Sequence, residues 1–151
     1  MRNLFAAALA LFTASTLHAQ AAVDLGAVPP LGGTWRFALL STGSEASFAD
    51  MASRPQVTLR CTRATRRVTI SKPASAAAAA MTVWTSSASR PVATSFNPAT
   101  GQLSADLLAT DPLLDAMAFS RGRIGFTVAG TPALVVPAWP EVARVIEDCR
   151  A

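Results

Sequence analysis

The two cysteines constrain this chain more than any other feature. Cys61 and Cys149 are its only thiols, and two separate periodicities aim both at one interior. Over Gln56–Thr62, Val57, Leu59 and Cys61 fall on one face and Thr58, Arg60 and Thr62 on the other. That is the period-two alternation of a half-buried strand. Near the end of the chain, Val142, Val145, Ile146 and Cys149 recur at i, i+3, i+4 and i+7, one apolar stripe of a helix. Two inward-facing cysteines in an exported protein form a disulfide. The sequence therefore predicts a Cys61–Cys149 bridge that fastens the last helix to a strand of the first half.

The N-terminus supplies the export. Met1-Arg2-Asn3 is a short positive segment, Leu4–Leu17 is an apolar run, and Ala19-Gln20-Ala21 offers a small-x-small cleavage site. This is the order of a secretory signal peptide, and the apolar run is too short for a membrane span. Cleavage is expected after Ala21, with Ala19 as the alternative. The expected division is a signal peptide over 1–21, a flexible lead-in over 22–33, and a single β-rich domain over 34–151. No later stretch is long and apolar enough to span a bilayer. The localisation expected is periplasmic or secreted.

Short strands dominate the rest of the chain. Trp35, Phe37 and Leu39 share a face opposite Arg36, after which residues 41–54 read as a loop with Phe48 and Met51 tucked against the core. Gln56–Thr62 and Arg67–Ser71 form a hairpin around an arginine-rich turn, and a Pro/Ser/Ala-rich connection spans 73–80. Met81–Thr85, Val92–Phe96 and Gln102–Leu108 read as further strands, the last entered through the turn Asn97-Pro98-Ala99-Thr100-Gly101. Asp111-Pro112 is an N-cap followed by proline in the first turn. It opens a helix whose buried stripe is Leu113, Leu114, Met117 and Ala118, with Gly122 as the stop. Strands at Ile124–Val128 and Leu134–Val136 precede the last helix, from Glu141 to about Arg150. The fold class expected is mainly β: an antiparallel β-sandwich or curved sheet with two short helices, the C-terminal one disulfide-linked to the sheet.

Chemistry is sparse. The only histidine, His18, leaves with the signal peptide, which removes the imidazole that Ser-His-Asp and Cys-His systems need. The only lysine, Lys72, follows Ser71 on the opposite strand face. Asp106, Asp111 and Asp115 form the one local carboxylate cluster, but they read as a strand residue, a cap and a first-turn helix charge. Glu141, Glu147 and Asp148 read as the solvated face of the last helix, with Arg144 spaced to pair with Glu141 and Asp148. Ser120-Arg121-Gly122-Arg123 reads as capping with solvation. No catalytic residue, metal ligand set or cofactor is expected on these grounds.

The formal charge of +4 is carried almost wholly by arginine. Arg60, Arg63, Arg66 and Arg67 cluster around the hairpin and are the candidate surface for an anion or a partner, with Trp84 as a candidate companion. Outside the cytosol, such charge faces an envelope protein, an anionic envelope polymer or lipid head groups rather than nucleic acid. The same charges also guard a strand edge against aggregation.

The run from Asp111 to Arg123, followed by Pro137 to Arg150, resembles small uncharacterised secreted proteins of alphaproteobacteria. The architecture is also similar to that of invasion-associated locus B proteins, exported β-sandwich domains with a helix near the end. This chain lacks their second early cysteine, so no residue is carried over. The resemblance implies a periplasmic domain without catalytic residues. The expected function is a non-enzymatic exported binding or interaction module. The alternatives are an inhibitor or accessory subunit of an envelope hydrolase, and a carboxylate-dependent hydrolase.

Overall fold

The computed structural model describes residues 25–151. The expected signal peptide over 1–21 and the first residues of the lead-in lie outside the described residues. Among the described residues, ten strands form two antiparallel sheets, accompanied by two short helices. The six-stranded sheet has the order β1-β2-β3-β4-β8-β7 and the four-stranded sheet β10-β9-β5-β6.

In the larger sheet, β1 (Gly33–Leu40), β2 (Gly43–Asp50), β3 (Pro55–Thr62) and β4 (Arg67–Pro73) form a meander. The arginine-rich turn between β3 and β4 is a single 3₁₀ turn, Arg63–Thr65, closed by Arg66 in the left-handed region. The chain then crosses to the second sheet as β5 (Ala80–Trp84) and β6 (Ser89–Ala93). It returns to the first as β7 (Ser95–Asn97) and β8 (Gln102–Leu108), which pairs with β4. Helix α1 (Pro112–Ala118), the hairpin of β9 (Arg123–Thr127) and β10 (Leu134–Pro137), and helix α2 (Pro140–Asp148) complete the chain.

Two expectations give way here. Residues 43–50 form a strand, not part of a loop. Its sequence, Gly-Ser-Glu-Ala-Ser-Phe-Ala-Asp, has weak strand propensity, yet it is laddered on both sides, to β1 over its whole length and to β3. Pairing on two sides overrides propensity. The inward positions are small except for Phe48, so the alternation carries little hydrophobic contrast. The expected single strand over Val92–Phe96 is two strands in different sheets, divided at Thr94. There the Thr94 hydroxyl donates to the Ala78 carbonyl and its N–H to that of Ala79, which anchors the crossover.

The core lies between the sheets. Phe48, Val57, Leu59, Val68, Ile70, Leu103 and Ala105 are buried from one side, and Met81, Val83, Ile124, Phe126 and Val136 from the other. The four-stranded sheet does not reach across all six strands, and α2 covers β1, β2 and β3 with Val142, Val145 and Ile146. Leu39 is the exception to the β1 alternation: it is 73% exposed, while Trp35 on the same face is 3% exposed. The Arg144 guanidinium lies 4.1 Å from the centre of the Phe37 ring rather than pairing with Glu141 or Asp148.

The predicted disulfide is present. Cys61 on β3 and Cys149, just past α2, are bridged with 5.4 Å between Cα atoms and a separation of 88 in the chain. Asp111 caps α1, its carboxylate accepting the Leu113 N–H at 2.8 Å.

The β2–β3 turn is organised by one carboxylate. Asp50 accepts from the N–H groups of Ala52 and Arg54, from the Arg54 guanidinium and from the Gln56 amide. The Arg54 backbone N–H, reinforced by its guanidinium, holds the Asp50 carboxyl below the usual aspartate value. A lowered carboxyl pKa stabilises the fold at higher pH, and this contribution is lost as pH falls through the lowered value. NMR titration is therefore expected to show Asp50 protonating below free aspartate, with turn 50–54 losing order in the same acid step. Titration of Asp50 at or above the free value would contradict this.

Candidate functional site

The hairpin arginines are largely spoken for. Arg60 donates to Glu45 at 2.7 Å on the outer face of the larger sheet. Arg63 reaches Asp148 at 3.3 Å and the Gly43 carbonyl at 3.1 Å. Arg67 lies 3.5 Å from Asp106, whose carboxylate also accepts the Thr69 hydroxyl. Arg66 donates to the main-chain carbonyl of Arg150. Three of the four thus face a carboxylate, and an anion binding there would have to compete with it. Such exposed pairs are worth about 0–1 kcal/mol each.

The carboxylates are dispersed in the same way. Asp106, Asp111 and Asp115 do not meet around a common point: Asp111 pairs with Arg90 and Asp115 with Arg150, each at 2.7 Å. Ser71 exchanges a hydrogen bond with Ser104 at 2.9 Å on the outer face. Lys72 is at the neighbouring position of alternate facing, where burial lowers its amine below the usual lysine value. The polar cleft on the outer face of the larger sheet, lined by Thr58, Arg60, Thr69, Ser71, Gln102 and Ser104, holds the single carboxylate of Glu45.

A more developed arrangement occupies the outer face of the smaller sheet. Trp84 on β5, Gly125 on β9 and Val135 on β10 stand in register, one row across three strands. The middle position has no side chain, and Leu25 fills that space, 1% exposed. A Cβ on Gly125 would lie 2.7 Å from Leu25 Cδ1 and 3.1 Å from Trp84 Cβ, so glycine is what opens the slot.

Arg123, two residues before Gly125 on β9, holds the backbone of the entering segment. Its Nη1 donates to the carbonyls of Gly26 and Val28, each at 2.7 Å, and lies 3.4 Å from that of Leu25. Farther along, the Leu31 N–H donates to the Val135 carbonyl at 2.7 Å, on the free edge of β10. The Trp35 indole N–H covers the next outward carbonyl of that edge, Pro137, at 2.8 Å. The rim is fixed by hydroxyls: Ser86 and Ser120 each accept a backbone N–H, from Arg121 and Ser86 respectively. Beside Leu25 remains a cleft of about 160 Å³, reached by Trp84, Ser86, Arg121 and Arg123.

The described part of the expected lead-in is therefore packed against the sheet as a strap, residues 25–31. Arg123 serves the carbonyls of this strap rather than capping the preceding helix. Two signals in the sequence pointed here: a lone glycine inside the apolar strand Ile124–Val128, and consecutive apolar residues Leu134-Val135-Val136 where alternation calls for a polar one. Trp139, at the N-cap of α2, is 40% exposed and outside this row.

Arg123→Gln is expected to free the strap without unfolding the domain. Hydrogen bonds from a charged donor are worth about 1.5–3 kcal/mol, so exchange of the Leu31 amide, which donates to the Val135 carbonyl, should accelerate at least tenfold while the core strands keep their protection. Unchanged exchange in the strap would show that Arg123 does not hold it.

Comparison with protein-family models, with curated proteins and with solved structures finds no match to this chain.

Proposed function

We propose that the chain is an exported, non-enzymatic binding module whose recognition surface is the Trp84–Gly125–Val135 face of the smaller sheet. The observation that carries this reading is the slot over Gly125. It receives an aliphatic side chain, and the Arg123 guanidinium reads the main-chain carbonyls beside it. A rigid face that recognises a backbone suits a partner-binding domain, because little ordering remains to be done on binding.

Export is supported by the N-terminal signal pattern and by the disulfide, which suits an oxidising compartment. No helix among the described residues is long and apolar enough to cross a membrane. The absence of a chemical role is supported by the residues themselves: both thiols are joined, and six aspartates and glutamates are committed one by one to arginines.

The arginine hairpin is the competing surface, and one experiment separates the two. A photo-crosslinking residue at Arg121, on the slot's rim, or at Arg60, on the hairpin strand, is expressed with the intact chain and irradiated in cells. Discrete adducts from position 121 and none from 60 are expected. Adducts from position 60 alone would move recognition to the hairpin and overturn this assignment.

A further inference from the structure

We propose that the outer face of the larger sheet carries a binding site of its own, a trough that takes a strand of neutral sugars. It lies on the opposite side of the sandwich from the Trp84–Gly125–Val135 row and does not depend on it.

The floor of the trough follows from register. Ser47 on β2, Thr58 on β3, Ser71 on β4, Ser104 on β8 and Ser95 on β7 are ladder partners in turn, so neighbouring strands set their hydroxyls in a single row. At a strand spacing of about 4.8 Å the row is about 19 Å long. Longer side chains flank it. Glu45, Arg60 and Asp106 stand on one side, and Gln102 and Asn97 on the other at the β7–β8 end. Short side chains between long ones make a groove: clefts of about 580 Å³ and about 400 Å³ adjoin there and share Thr69 and Ser104. The second cleft ends against the crossover at Ala93 and Thr94. Arg36, beside Ser47 on β1, closes the row at its other end, outside both clefts.

The lining selects the ligand. Ser71 and Ser104 hydrogen-bond each other, whereas the hydroxyls of Ser47, Thr58 and Ser95 and the Gln102 amide have no partner among the described residues. Hydroxyls and side-chain amides both donate and accept, and sugar hydroxyls offer the same pair of capacities in return. Charge points the same way. Glu45 is paired with Arg60 and Asp106 with Arg67, so the walls offer an ionic ligand no unpaired counter-charge. An aliphatic ligand would strip water from the hydroxyls without replacing its hydrogen bonds, which is costly. A polypeptide strand adds to a free sheet edge, but the backbones of β3, β4 and β8 are laddered on both sides. A neutral polyhydroxylated chain is the class that fits.

The test is affinity electrophoresis of the purified, disulfide-bonded chain through native gels cast with a dextran, a β-glucan, a xylan or a mannan. Alginate serves as the anionic comparison. Retardation by at least one neutral polymer is expected. Thr58→Val keeps the shape of the floor and breaks no hydrogen bond within the protein. It should weaken retardation at least fivefold, while Thr58→Ser, which keeps the hydroxyl, should bind as wild type does. Thr58→Arg, which lays a long side chain across the floor, should abolish retardation.

Free passage of the wild-type chain through every neutral gel would overturn the inference. So would retardation that Thr58→Val and Thr58→Arg both retain, or a loss in Thr58→Ser as large as in Thr58→Val. Retardation by alginate alone, removed by salt, would assign polymer binding to the net positive charge and overturn it too. A polydisperse polymer leaves no discrete adduct, so this proposal and the crosslinking result stand or fall separately.

Discussion

Cys149→Ala is expected to lower the stability of the domain by about 4–5 kcal/mol, the chain-entropy value for a loop approaching one hundred residues. At a few degrees per kcal/mol for a domain of this size, the melting temperature should fall by about 10–20 °C. The loss has a location. Helix α2 has nine residues and is marginal by itself. Without the bridge the helix and the residues just past it are held by Val142, Val145 and Ile146, by Arg144 over the Phe37 ring, and by the pairs Arg63–Asp148 and Arg150–Asp115. Hydrogen exchange should therefore rise first over 140–151, while β3 and β4 keep their protection until global unfolding. A melting temperature within about 2 °C of wild type would mean that the bridge adds nothing to the docking of the helix.

Phe48→Ala should cost about 3–5 kcal/mol, the range for removing a fully buried aromatic ring. Phe48 is wholly buried in β2, and its ring meets Trp35 edge-on with centroids 5.5 Å apart. The collapse that would soften the loss is blocked by backbone. Trp35 and Val57 flank Phe48 in the ladder, and the ring tip lies 2.6 Å from where a Gly33 Cβ would stand. Chemical denaturation should show a lower midpoint with an unchanged slope. A loss below about 1 kcal/mol would show that β2 contributes little to the core, contrary to its burial.

These two residues also mark where the sequence was legible. Cys149 was readable because the α2 stripe is strongly apolar and the β3 alternation equally clear, so two independent periodicities converged. Phe48 was readable as a core residue but not as part of a strand. Its neighbours Ser44, Ala46 and Ser47 carry little hydrophobic contrast, and the ladder that fixes them comes from β1 and β3, far from local propensity. The division of residues 92–96 between two sheets is a tertiary event at Thr94 that no period reports.

The site was legible only in pieces. The arginines were visible, but their partners were not: Glu45, Asp106 and Asp148 reach the hairpin from β2, β8 and α2. Trp84 was a candidate, whereas Gly125 and Val135 gained meaning only when β5, β9 and β10 set them in one row. Leu25 sits between Asp24 and Gly26, in a stretch whose Gly-Ala-Val-Pro-Pro composition reads as lead-in. Burial there comes from a slot nearly a hundred residues downstream.

The most direct test of an exported, disulfide-closed domain is the intact mass of the chain recovered from the envelope fraction, alkylated without reductant. The expected species begins at Ala22, or at Gln20 for the alternative cleavage, with Cys61 and Cys149 joined and no alkyl group added. A chain that retains Met1, or one that takes up two alkyl groups while still folded, would contradict it.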